Sequence, residues 1–264
     1  AWQRAVDASP ESAFMRRELA AVEKQSGRLD EALAHVKSAL SLDPRDPATH
    51  VLLAEVEEAR GNLQGALDAY RQAQQLDPRS VPQERITSVQ RRIELAALPA
   101  PYRMIATAPV VTRGDLAALL GVKLQSWLAA APPMAMPLLT DVREHWAQRW
   151  ILEVLRAGVM RAFPNHTFQP AQTVRRGDLA HVISNALERA AERDPAVAGR
   201  LRSATPPLLS DLPPGHAVRP AAEQAVAAGV MTTEPGGAFV PSRPVSGAEA
   251  SAAVDRLAAL LTRP

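Results

Sequence analysis

Residues 27–44 read GRLDEALAHVKSALSLDP, and residues 61–78 read GNLQGALDAYRQAQQLDP. The two stretches align without a gap, and they share the first glycine, spaced alanines and the final proline. Alanine favours helices, whereas glycine and proline end them, so the pattern predicts a repeating unit of two close-packed helices that meet at the glycine. The same spacing, applied once more toward the N-terminus, matches Trp2 and Ala5. Residues 1–10 are therefore predicted to form the second helix of an earlier unit.

This unit resembles the tetratricopeptide repeat, and the resemblance implies an α-solenoid over residues 1–79. Residues 80–98 lack the next turn glycine and are expected to form a capping helix and linker. A lone second helix at residues 1–10 would expose an unpaired face. We therefore expect the chain to be a fragment or processed form of a longer protein, with more repeats and any targeting signal upstream.

In this family, the first helix of each repeat lines a concave groove that binds a peptide or protein partner. The resemblance therefore assigns groove positions to both first helices of the array. These positions are Phe14, Arg17, Lys24, Gln25, Val51, Glu55 and Glu58. An alternative interpretation is that the same residues form ordinary solvated helix faces.

A second, longer repeat fills the rest of the chain, and 17 of the 23 prolines lie after residue 99. The segment VTRGDLAALL (111–120) matches VRRGDLAHVI (174–183), and the GVM that starts at Gly158 recurs at Gly229. Proline-rich breaks divide this region into three parts. The predicted copies are 99–138, 139–206 and 207–264.

The central copy contains DVREHWAQRWILEVLRAGVMRAFPNHTFQPAQTVRRGDLAHVISNAL (141–187), which resembles an S-layer homology domain. The resemblance rests on the Asp-Val start, the His-Trp-Ala triplet, the glycine after the first helix, the Phe–Pro loop and the charged start of the last helix. The third copy has lost the tryptophan, and the first keeps only the final motif. Three copies imply one helical, pseudo-threefold unit, so the whole chain is expected to be all-α.

The repeated helix start carries capping residues. A hydroxyl at the first position and an acid three residues later match the capping box, in which each side chain bonds the other residue's backbone N–H. In the central copy, Arg175 replaces the hydroxyl. The predicted cap residues are Thr112, Asp115, Asp178, Ser246 and Glu249.

An arginine stands inside two of these caps, at Arg113 and Arg176. A cation in the first turn opposes the helix dipole unless an anion is bound there, and free N–H groups with an arginine fork favour an anion. In the S-layer homology family this arginine binds acidic cell-wall glycans, which the resemblance assigns to both positions. The third copy has Gly247 instead, so at most two sites are expected. Trp146 is predicted either to anchor the core or to stack on a sugar.

Composition excludes several other functions. Residues 100–264 carry 17 basic and 13 acidic groups, a net charge too small for a nucleic-acid binder. There is no cysteine, the histidines lack ligand spacing, and no cofactor or catalytic motif is present, so neither a metal nor enzymatic activity is expected. The Arg-Gly-Asp triplets at 113–115 and 176–178 fall at predicted helix starts, where an integrin motif does not belong.

The sequence therefore predicts a non-enzymatic adaptor of the bacterial cell envelope, in the periplasm or on the outer surface. Its S-layer homology part would bind acidic cell-wall polymer or peptidoglycan, and its repeat array would bind a protein. One alternative is a structural subunit of a larger surface or secretion assembly, in which both parts dock protein and glycan binding is lost. Another is an intracellular regulator that carries an incidental C-terminal helical domain.

Overall fold

A computed structural model describes residue 4, residues 8–135 and residues 138–261. Over these residues the chain is helical, with two isolated β-bridges and no strand, which confirms the predicted all-α class. The chain divides into two compact units, residues 1–98 and 99–264. Trp2 and Ala5, on which the prediction of an earlier repeat rests, lie outside the described residues.

The first unit consists of helical hairpins. α1 packs against α2, α3 packs against α4, and α5 follows α4. The turn residues Gly27 and Gly61 have φ angles of 76° and 82°, a left-handed conformation that glycine adopts without steric cost. Fully buried alanines, such as Ala32 and Ala66, let the helices approach closely. The helices are α1 (Ala13–Gln25), α2 (Leu29–Leu42), α3 (Pro47–Ala59), α4 (Leu63–Leu76) and α5 (Gln83–Ala97).

In the second unit, each of the three predicted copies contains a helix that starts at the repeated motif. These three helices are α7, α10 and α13. The described helices of this unit are α6 (Ala100–Met104), a 3₁₀ turn (Ile105–Thr107), α7 (Arg113–Lys123), α8 (Gln125–Ala129), α9 (Gln148–Arg156), α10 (Arg176–Arg193), α11 (Pro195–Ser203), α12 (Arg219–Ala227) and α13 (Gly247–Leu261).

A ring of three backbone hydrogen bonds joins the copies. The N–H of Val111 donates to the carbonyl of Val245 at 2.9 Å, that of Val245 donates to Val174 at 3.0 Å, and that of Val174 donates to Val111 at 2.9 Å. Around this ring, α7 packs on α9, α10 packs on α12, and α13 packs on the 3₁₀ turn. In each predicted copy, the helix that starts at the motif therefore contacts the next copy, and these contacts close into a cycle.

For two of the three helix starts, an aspartate holds the loop that the helix start contacts. The carboxylate of Asp141 accepts the N–H of Phe168 at 2.8 Å and that of Gln169 at 2.7 Å. This pair of hydrogen bonds accompanies a left-handed φ of 55° at Gln169, a conformation that is costly for residues other than glycine. The same clamp recurs in the third copy, on Asp211, Phe239 and Val240.

Candidate functional site

The first helix-start arginine lies at the boundary between the first and second copies. Nε of Arg113 donates to the carbonyl of Phe168 at 2.8 Å, and Nη2 donates to the carbonyl of Arg161 at 2.8 Å. Its guanidinium lies 4.7 Å from the ring centre of Phe163 and 4.6 Å from that of Phe168. Among the described residues, Nη1 of Arg113 has no hydrogen-bond partner, so this arginine keeps a donor for a ligand.

The second arginine is placed differently. Arg176 is 3% exposed, and it donates through Nε to the carbonyl of Phe239 and through Nη2 to that of Thr232, both at 2.6 Å. Its Nη1 forms an ion pair with Glu249. The anion that the sequence predicts at this helix start is therefore the protein's own carboxylate. Arg176 binds the second copy to the third and presents no free donor to a wall polymer.

At the third helix start, backbone atoms occupy the space that an arginine side chain would need. The N–H of Gly247 donates to the carbonyl of Ala108 at 2.8 Å. A Cβ at this glycine would overlap the carbonyl oxygen of Ile105 and lie 2.8 Å from its carbonyl carbon. No side chain fits between the third copy and the 3₁₀ turn, which gives a physical reason for the missing arginine.

Two of the predicted caps involve the acid three residues after the cap. The hydroxyl of Thr112 accepts the N–H of Asp115 at 3.2 Å, while the Asp115 carboxylate accepts the N–H of Thr112 at 2.8 Å. In the second copy, Asp178 accepts the N–H of Arg175 at 2.9 Å, so the acid acts without a hydroxyl partner.

The two side chains of the third predicted cap have different roles. The hydroxyl of Ser246 accepts the N–H of Glu249 at 3.2 Å, as a helix cap should. The carboxylate of Glu249 instead pairs with Arg176 and, at 3.1 Å, with Arg243. The extra methylene of glutamate, relative to aspartate, lets this group reach the neighbouring copy.

Burial and neighbouring carboxylates act in opposite directions on the charge of Arg113. Burial lowers the pKa of Arg113, while the charges of Asp178 and Asp141 oppose that effect. Burial also lowers the pKa of His145, against the charges of Asp115 and Asp141. His145 is therefore neutral at pH 7, and its Nδ1 accepts the N–H of Ala147 at 3.1 Å. The lasting positive charge at this boundary belongs to the arginine.

Trp146 is half-buried beside this boundary. Its ring centre lies 5.7 Å from that of His145 and 5.9 Å from that of Trp150. His145 in turn packs on the start of α7, where a Cβ at Gly114 would lie 2.6 Å from its Cε1. Trp146 is thus partly covered by His145 and Trp150, and the rest of its side chain is exposed.

Sequence reasoning missed Trp150, which supplies the core anchor of this copy. Trp150 is buried, and a Cβ at Gly121 of α7 would overlap its indole ring. Tyr102 lies on it with a ring-centre distance of 6.0 Å. A spacing of four residues would place both tryptophans on one face of a helix, but α9 begins at Gln148 and Trp146 lies in the turn before it.

In the first unit, the predicted groove residues pair with one another across successive first helices. Lys24 of α1 forms an ion pair with Glu55 of α3. Glu58 of α3 forms ion pairs with Arg92 of α5 and, at 2.7 Å, with Arg85. The two arginines were missed, although they occupy the positions of Glu58 and Val51 in the next repeat and were open to prediction.

The other groove positions surround this ladder of ion pairs. Arg17 pairs with Asp46 at 2.6 Å and lies 5.1 Å from the ring centre of Phe14, which is 56% exposed. Gln25 is exposed at the end of α1, and Val51 is half-buried. The face therefore presents paired charges around a few apolar side chains.

Residues 8–135 and 138–261 contain no cluster of histidines and acids arranged to hold a metal ion. Among the same residues, every helix is too short or too polar to cross a membrane.

Comparison with known proteins finds two families in the chain. The tetratricopeptide repeat family matches residues 1–47 and 17–81, and the S-layer homology domain family matches residues 138–180 and 209–251. A cellulosome-anchoring protein of Acetivibrio thermocellus is 33% identical over 51 residues, which are 19% of this chain. The match spans only 11% of that protein's length.

Proposed function

We propose that this chain, which carries tetratricopeptide repeats and two S-layer homology domains, is a non-enzymatic adaptor of the bacterial cell envelope. The S-layer homology unit would hold an acidic cell-wall polymer or peptidoglycan, and the repeat array would hold a protein partner. The families found here and the anchoring role in the name of the Acetivibrio protein support this proposal. The adaptor would act in the periplasm or on the outer surface.

The observation that carries the polymer proposal is the unfilled donor of Arg113. A partly buried guanidinium attracts an anion more strongly than an exposed one, because less water screens the pair. Nη1 would donate to an acidic group of the polymer, while the half-buried face of Trp146 would contact a sugar ring. Arg176 has no place in this proposal, because Glu249 already occupies its guanidinium.

Co-sedimentation with purified bacterial cell walls tests the proposal. We expect the wild-type chain to pellet and Arg113→Gln to bind at least about tenfold more weakly, since a charge-assisted contact is lost. Arg143→Gln removes an exposed arginine of the second copy and should bind as the wild type does. Walls stripped of their attached polymers distinguish polymer from peptidoglycan. A wild-type chain that stays in the supernatant would reject wall binding.

The array would present its ladder of paired charges, Lys24–Glu55 and Glu58 with Arg85 and Arg92, to a protein partner. Because these charges are already neutralised in pairs, the contact surface is expected to recognise shape and apolar groups more than a single charge. A pull-down from envelope extract tests this part. Glu58→Arg breaks these charge pairs, so this variant should not retain a partner that the wild type binds.

A second candidate function is a subunit of a larger surface assembly, in which both units dock protein. It is favoured by the ion pair of Arg176 with Glu249 and by the backbone closure at Gly247, which leave one helix start of three with an available arginine. Stoichiometric protein partners, recovered without any wall binding, would support this candidate against the adaptor.

A further inference from the structure

Two adjoining cavities lie between α11 and the neighbouring helices of the second unit. The first, of about 380 Å³, is bounded by α11, the end of α12 and the end of α13. The second, of about 360 Å³, continues past α11 toward α10 and the start of α12. Both cavities share Leu201, Ala204 and Ala227, so they form one groove. We call it the α11 groove.

Beside Gly229, the third copy lacks a side chain that the second copy has beside Gly158. When Asp211 is aligned with Asp141, Ala204 takes the position of Met134. In the second copy, a Cβ at Gly158 would overlap the sulfur of Met134, so the methionine fills the hollow over that glycine. At the matching Gly229, a Cβ would meet no described atom within 4 Å. The single methyl group of Ala204 leaves this hollow unfilled.

Two arginines line the cavity beside that hollow. Arg256 donates through Nε to the carbonyl of Val230 at 2.8 Å, and its two Nη atoms have no partner among the described residues. The guanidinium of Arg200 on α11 has none among them either. Two unpaired guanidinium groups beside an apolar hollow favour a carboxylate that is attached to an apolar side chain.

The opposite end of the groove is acidic. Glu188 and Glu223 line the second cavity, and Glu223 pairs with Arg219 at 2.7 Å. The groove thus runs from two arginines, over an apolar floor, to an exposed glutamate. This order of charges matches an extended peptide with its carboxyl terminus at the arginines and a basic side chain a few residues upstream.

We propose that the α11 groove binds the carboxyl terminus of a partner protein whose last residue has a long apolar side chain. That side chain fills the hollow over Gly229, as Met134 does over Gly158, and the terminal carboxylate pairs with Arg200 and Arg256. The preceding residues lie along the second cavity. This site is separate from the Arg113 boundary and does not depend on wall binding.

Fluorescence anisotropy with the full chain tests the proposal. The probe is a fluorescein-labelled peptide, Lys-Ala-Ala-Ala-Met, with a free carboxyl terminus. We expect saturable binding that weakens about tenfold when the terminus is an amide, and about tenfold in Arg200→Ala, because each change removes a charge-assisted contact. Ala204→Met rebuilds the plug of the second copy and should abolish binding.

The matched control is Arg202→Ala, which removes another exposed arginine from α11 that does not line the groove. It should bind the probe as the wild type does, and thermal unfolding should show that all variants are folded. Equal binding of acid and amide peptides, full binding by Ala204→Met, or no binding of the probe by the wild type would each overturn the proposal. None of these results affects the wall co-sedimentation, so the two proposals fail separately.

Discussion

Gly247→Ala is expected to destabilise the second unit, although helix propensity alone predicts the opposite. Gly247 is the first residue of α13, and alanine is preferred over glycine in helices by up to about 1 kcal/mol. In this structure, however, the added Cβ would overlap the carbonyl oxygen of Ile105 and lie 3.1 Å from the carbonyl carbon of Ala106. These are backbone atoms, so no side-chain rotation relieves the overlap.

The size of the effect follows from what has to move. The Cβ would lie 2.8 Å from the carbonyl carbon of Ile105, whereas carbon atoms normally approach to about 3.5 Å, so the 3₁₀ turn must retreat. Its retreat strains the hydrogen bond from Gly247 to Ala108, worth about 1 kcal/mol, and overpacking costs about 1–3 kcal/mol. After the gain in propensity, a net loss of about 2 kcal/mol remains.

Urea unfolding followed by tryptophan emission measures this loss, because three of the four tryptophans lie in the second unit. The matched control is Gly199→Ala in α11, where a Cβ would meet no described atom within 4 Å. The free energy of unfolding of the control should rise by about 0.5–1 kcal/mol, so the same substitution has opposite effects in the two helices. A Gly247→Ala variant as stable as the wild type would refute the close approach of the 3₁₀ turn.

Three further outcomes are expected. Arg176→Met should lower the free energy of unfolding by about 3 kcal/mol in urea, since it leaves the partly buried Glu249 without its closest cation. Burial raises the pKa of Asp211, but bonds from two backbone N–H groups hold it below its usual value. The Asp211 carboxylate therefore stabilises the fold above about pH 4, and this contribution is lost as the pH falls through the pKa of the folded state. Asp211→Asn should flatten that part of a plot of unfolding free energy against pH. Glu58→Gln should cost the first unit about 1 kcal/mol at low salt and less at high salt, as circular dichroism would measure.

The helices and copies could be predicted from the sequence because their signals are local. Gly27 and Gly61 mark turns by their own conformational freedom, and the constant spacing of the repeat needs no tertiary information. The same holds for the cap of Thr112 with Asp115, whose partners are three residues apart. Where a residue's role depends only on atoms within one helical turn, that role can be predicted from its neighbours in the sequence.

The environment of the site depended on distant residues and could not be predicted in this way. Arg176 finds its anion in Glu249, in the next copy, and the sequence does not show that this acid leaves its own cap. The cause of the glycine at position 247 is the carbonyl of Ile105, which belongs to the first copy. Trp146 precedes α9 and Trp150 lies within it, and the close approach of Gly121 on α7 to Trp150 explains why Trp150 is the buried one.

The ring of Val111, Val174 and Val245 has a consequence for synthesis on the ribosome. The chain between Val174 and Val245 takes roughly 4–14 s to make at usual elongation rates of about 5–20 residues per second. During that interval the N–H of Val111 and the carbonyl of Val174 lack the partner that the third copy supplies. The ring therefore cannot close until synthesis has passed Val245, so the second unit completes its fold only after its third copy is made.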